Sequence, residues 1–132
     1  MNDALASLPA GAELLGREWL GFDETGQIGL VRFEARPSFT NRHGTILGGF
    51  LAAMLDSATG LRALAALPSH QTAVTKSLNT RFRKPAGVGT IMARARIVKR
   101  SERDIVVEAE LVDAQGVTVA DATAELRIAE KK

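Results

Sequence analysis

The chain has 132 residues, 45% apolar and 24% charged, which admits one substantial hydrophobic core and excludes the disordered and fibrous classes. It contains no cysteine, so a disulfide framework, a thiolate metal site and a Cys nucleophile are excluded. The net charge of +2 excludes a uniformly basic surface, yet seven of the 17 Lys and Arg residues crowd between Arg81 and Arg100, a pattern suited to a local anionic partner.

Residues 1–20 carry Asp3 and Glu13 and lack a basic stretch followed by an apolar run, so they do not read as a secretory signal, and a cytoplasmic location is expected. Residues 9–15 suit a short helix with Leu14 and Leu15 as its apolar contacts. Residues 17–22 and 27–34 suit two strands, and Asp23, Glu24, Thr25 and Gly26 between them have tight-turn chemistry. Pro37 and the polar residues 38–43 mark a loop.

From Leu47 to about Ala66 the residues are small and apolar, with Pro68 as a stop just beyond, which predicts one long helix. Asp56 and Arg62 interrupt the apolar run, so it reads as a buried helix and not a membrane span. Its many glycines and alanines predict a helix wrapped on several sides by a closely approaching sheet. Beyond it the period becomes two. Val74, Lys76, Leu78, Thr80 and Phe82 alternate with Thr75, Ser77, Asn79, Arg81 and Arg83, up to the step Lys84-Pro85. In the next strand Ile91, Ala93, Ala95 and Ile97 face inward and Arg94 and Arg96 outward. Val107, Ala109 and Leu111 then share a face opposite Glu108 and Glu110, which suit pairing with the two arginines. A turn over residues 113–116 leads to a last strand that buries Ala120, Ala122, Ala124, Leu126 and Ile128, and the tail after it is expected to fray. One domain is expected, of α+β class: one long central helix against an antiparallel sheet of five to six strands.

Asp56 is the first candidate for chemistry. Its helical neighbours Met54, Leu55, Ala58 and Gly60 supply no charge partner, and a carboxylate in such surroundings is either capped and solvated or kept for its reactivity. Gly48 and Gly49 open the helix, where amides lack internal partners and the dipole is positive; they serve either an oxyanion or close packing against the sheet. Asn41 either closes an Asx-turn or orients a carbonyl or a water. His43 and His70 stand at no metal-ligand spacing, so no metal is expected. Arg81, Arg83 and Lys84, with Arg94, Arg96, Lys99 and Arg100, suit phosphate recognition or a solvated strand face. Phe82 is the one aromatic among them, too little stacking surface for nucleic acid.

The run from Asn41 through Gly44, Gly48 and Gly49 to Asp56 resembles the signature of the hotdog-fold acyl-CoA thioesterases of the phenylacetic-acid-degradation type: Asn, two residues, Gly, two residues, His-Gly-Gly, six residues, Asp. The strand ending at Lys84-Pro85 and the late hairpin at residues 113–116 extend the likeness over nearly the whole chain. The resemblance implies a hotdog fold and hydrolysis of an acyl-CoA, with no cofactor. Asp56 would activate water or attack the thioester, the Gly48 amide would receive the carbonyl oxygen, and Gly49 would leave room for substrate. Asn41 would position the water or Asp56, Thr75 would hold the water, and Arg83 and Lys84 would lie near the nucleotide end of coenzyme A. Leu47 stands where the signature has His, so any hydrogen bond that imidazole makes is missing.

Gly48 and Asp56 are eight positions apart, a rise of about 12 Å along a helix, so one carbonyl cannot meet both in one subunit. A homodimer with two equivalent sites is expected, and the resemblance implies pairing of dimers into tetramers. Two other readings stand beside the hydrolase: a non-catalytic acyl-CoA-binding module, and a hydroxyacyl-thioester dehydratase, which Leu47 disfavours.

Overall fold

The computed structural model describes residues 2–132. One sheet of six strands curls around one long helix. The strands are β1 (Glu18–Phe22), β2 (Gly29–Ala35), β3 (Gln71–Phe82), β4 (Gly89–Arg100), β5 (Asp104–Val112) and β6 (Thr118–Glu130). Their order is β1-β2-β4-β5-β6-β3, and every neighbouring pair is antiparallel. The short helix α1 (Ala10–Leu14) precedes β1, and the long helix α2 (Gly48–Leu64) links β2 to β3, which lies at the far edge of the sheet.

Leu51, Met54, Leu55, Ala58 and Leu61 recur at helical spacing and are buried against the sheet. The facing positions Ala93, Ala95, Ala109, Ala122 and Ala124 are small, so the sheet closes around α2 without displacing it, while Val107, Leu111 and Leu126 fill the space between. Outward residues form the expected ladder. Arg94 opposes Glu110 and Arg96 opposes Glu108 in the β4–β5 register, with side chains 3.7 Å and 2.8 Å apart.

Four expectations are corrected. The helix is not wrapped all round: Gly49, Ala53 and Asp56 form an exposed stripe, because the sheet covers only the opposite side. The alternation of β3 breaks at Lys76, where a bulge shifts the register against β6 between Thr75 and Ser77. Thr75 opposite Leu126 and Leu78 opposite Ala124 therefore share the helix-facing side, and Val74 is turned outward. The loop after β2 contains a 3-10 turn at Pro37–Phe39 whose Phe39 is buried. The tail is tied down: β6 runs to Glu130, the Lys131 N–H donates to the His70 carbonyl, and Lys131 Nζ donates to Asn2 Oδ1.

Candidate functional site

The loop before α2 is built by Asn41. Its Oδ1 accepts the N–H groups of His43 and Thr45 at 2.9 and 3.2 Å, and its Nδ2 donates to Thr45 Oγ1 at 2.9 Å. Gly44 completes the turn at φ +80°, a conformation that explains glycine there. Asn41 thus closes an Asx-turn, and its side chain is committed to the loop. The loop is fastened to the helix start by the Leu47 N–H on the Phe39 carbonyl, by the Ile46 N–H on the Ala86 carbonyl, and by Phe39 stacked on Phe50 with ring centroids 4.1 Å apart.

These contacts set the first turn of α2 in place. Leu47 occupies the N-cap and is 44% exposed, and its side chain makes no capping hydrogen bond. Among the described residues no acceptor meets the Gly48 or Gly49 N–H, so both remain available as dipole-enhanced donors. Gly48 lies under the Phe82 ring, where an added Cβ would come within 3.1 Å of Cζ; at Gly49 a Cβ would meet nothing. A cavity of about 300 Å³ brings Gly48 together with Phe82, Arg83 and Lys84. Arg83 also binds Asp121 at 2.6 Å, which raises its guanidinium pKa above the ordinary value. The rest of the basic concentration divides: Arg94 and Arg96 are held by cross-strand carboxylates, whereas Lys84 has no ion-pair partner among the described residues.

Asp56 lies two turns further along α2, exposed on the open stripe. The bulge in β3 turns Thr75 toward it, and Thr75 Oγ1 donates to Asp56 Oδ1 at 2.9 Å. Asp56 borders two cavities. One, of about 360 Å³, is apolar, with Leu14, Leu15, Phe50 and Ala53; the other, of about 310 Å³, includes Thr75, Leu61, Leu64 and Arg17. Within the chain the structure therefore joins Asp56 with Thr75, and Gly48 with Arg83 and Lys84, as two separate half-sites. Arg17 and Ser57, joined by a 3.0 Å hydrogen bond beside Asp56, were missed by the sequence reading. A cation at the head of a strand and a serine in a helix carry no local signal of being neighbours.

Residues 43–120 match the family model of the thioesterase superfamily. A Saccharolobus solfataricus protein provisionally named an esterase is 30% identical over 87 residues, 66% of this chain; the match spans 61% of that relative's length. Among solved structures, a phenylacetic acid degradation-related protein of Ralstonia eutropha JMP134 superposes with a TM-score of 0.86 at 33% identity, covering 92% of this chain and 91% of that one. A Bacillus halodurans protein solved with CoA gives a TM-score of 0.72 at 35% identity over 75% of this chain and 70% of its own. On sequence, fold and motif alike, the chain belongs to the thioesterase superfamily, in the hotdog-fold group of phenylacetic-acid-degradation type.

Proposed function

We propose that the protein is an acyl-CoA thioesterase that converts an acyl- or aryl-CoA and water to the free acid and coenzyme A. The observation that carries the reading is the pair of half-sites on one helix: unpaired amides at Gly48 and Gly49, and a carboxylate hydrogen-bonded by Thr75 at Asp56. They lie about 12 Å apart along α2, and the stripe that holds Asp56 is exposed and lined by small residues, open to a second copy of the chain. In a homodimer the helix start of one protomer meets Asp56 of its partner, which makes two equivalent sites; dimers then pair into tetramers.

In each site the Gly48 N–H donates a hydrogen bond to the developing oxyanion, a role in which one preorganised donor contributes about 10²–10³ in rate. Asp56 acts as general base on water or as nucleophile on the thioester carbonyl. With the first role, Asp56 takes a proton as the water oxygen bonds to the carbonyl carbon; collapse breaks the C–S bond, and the proton held by Asp56 passes to the departing sulfur, which gives the thiol and restores the carboxylate. Asn41 acts by positioning the loop that aims Gly48, and Gly49 leaves the approach open. Arg83 and Lys84, beside Gly48, receive the phosphates of coenzyme A. The CoA held by the Bacillus halodurans protein supports this substrate class.

The test is thiol release from a panel of acyl- and aryl-CoAs. Asp56→Asn should lower turnover at least about a thousandfold with the melting temperature unchanged. Mixed dimers of Asp56→Asn protomers with protomers blocked at Gly48 should regain one intact site. Full hydrolysis by Asp56→Asn overturns the assignment, and binding without turnover by the natural chain turns the reading to a CoA-binding module.

A further inference from the structure

Two arginines, Arg17 and Arg62, are withdrawn from water without a carboxylate partner among the described residues; Arg62 is covered by the Phe22 ring, 5.0 Å from its guanidinium carbon, and donates to the Gln27 carbonyl, whereas Arg17 faces a cavity. Arg32, Arg83, Arg94, Arg96 and Arg127 each have a carboxylate partner. Arg17 has none among the described residues, although it is half-buried and loses enough water for its pKa to fall below the ordinary guanidinium value. Its contacts are with neutral oxygens: Nη1 donates to Ser57 Oγ and Nη2 to the Ser7 carbonyl, both at 3.0 Å. These engage two of the five N–H groups of a guanidinium. A cation withdrawn from water that keeps donors to spare and faces a cavity is suited to an anionic ligand.

The location says which ligand. Arg17 lines the 310 Å³ cavity that also borders Asp56 and Thr75, between α2, β3 and the segment before β1. Its other walls include Leu61, Leu64 and Ala73, which suit methylene groups. An anion brought this close to the Asp56 carboxylate is repelled unless a cation offsets it, and the planar fork of Arg17 matches a carboxylate in two hydrogen bonds.

We propose that Arg17 is a specificity-determining residue that receives a carboxylate at the far end of the acyl chain, so that the preferred substrates are CoA thioesters of short dicarboxylic acids. The proposal rests on the thioesterase reading above and goes beyond it in naming the acyl class. If Arg17 were only a clip between Ser7 and Ser57, hydrolysis would be indifferent to the charge of the acyl terminus.

The experiment compares kcat/KM for thiol release from glutaryl-CoA and pentanoyl-CoA in the natural chain, Arg17→Lys and Arg17→Met. The natural chain should favour glutaryl-CoA by at least about tenfold, Arg17→Lys should keep part of that preference, and Arg17→Met should favour pentanoyl-CoA. A ratio within one preparation does not depend on how much of a variant is folded, and the natural chain alone suffices to overturn the idea. A ratio near one there, or one that Arg17→Met leaves unchanged, sinks the dicarboxylate proposal and leaves the thioesterase standing. No thiol release from any acyl-CoA sinks both.

Discussion

Thr75 Oγ1 and Asp56 Oδ1 are joined by a 2.9 Å hydrogen bond across 19 positions of sequence, and the bulge at Lys76 is what allows it. Without that extra residue, Thr75 could not lie on the helix side together with Leu78. The bond fixes the rotamer of a carboxylate on an otherwise open helix face.

Removing the hydroxyl should therefore separate activity from stability. Thr75→Val should lower kcat about tenfold, equivalent to about 1.4 kcal/mol of barrier, while unfolding free energy changes by less than about 0.5 kcal/mol. Thr75→Ser, which keeps the donor, should recover most of the rate. Equal rates for Val and natural chain in a thiol-release assay would remove Thr75 from the site.

Gly48→Ala probes the helix start. The new methyl would stand 3.1 Å from Phe82 Cζ, but that ring is 55% exposed and free to swing. Alanine is also favoured over glycine in a helix by about 0.5–1 kcal/mol, so the melting temperature should hold or rise. Turnover should still fall at least about tenfold, because the methyl crowds the amide that meets the oxyanion. If Phe82→Ala in the same chain restored the rate, the displaced ring and not the amide would account for the loss.

Lys84 is tested by shortening the substrate. Lys84→Ala should raise KM for an acyl-CoA about fivefold with kcat little changed, the pattern of a contact made equally in ground and transition states. The corresponding acyl-pantetheine, which lacks the nucleotide, should show no such change. A KM increase shared by both substrates would move Lys84 away from the nucleotide end.

Asp104 gives the fold a pH dependence. A hydrogen bond from Lys76 and a second from Arg127 hold its carboxyl below the usual aspartate value. A carboxylate whose folded pKa is depressed stabilises the fold above its unfolded pKa, and the contribution is lost as pH falls through the folded value. Asp104→Asn should therefore melt below the natural chain at neutral pH. The gap should narrow below about pH 4 and close once the natural carboxyl is protonated. A gap that stays constant across that window would show that the charge is not the cause.

In the core, Leu55 is fully buried between α2 and the sheet. Leu55→Ala should cost about 2–5 kcal/mol in denaturant unfolding; a loss under about 1 kcal/mol would mean that the Ala-rich sheet collapses onto the gap.

Whatever repeats with a local period was legible in the sequence alone. The inward alanines and outward arginines of β4, the matching glutamates of β5 and the span of α2 follow from spacings of two and of three to four residues, which need no knowledge of the rest of the chain. The motif from Asn41 to Asp56 was equally readable, since its glycines answer to one tight turn and one helix start. Tertiary structure alone decided the neighbours. It set β3 beside β6 at the sheet edge, inserted the bulge that turns Thr75 to Asp56, and brought Arg17 to Ser57 across 40 positions. Pairing across such distances is chosen by the packing of the whole sheet on one helix, and no local period records it.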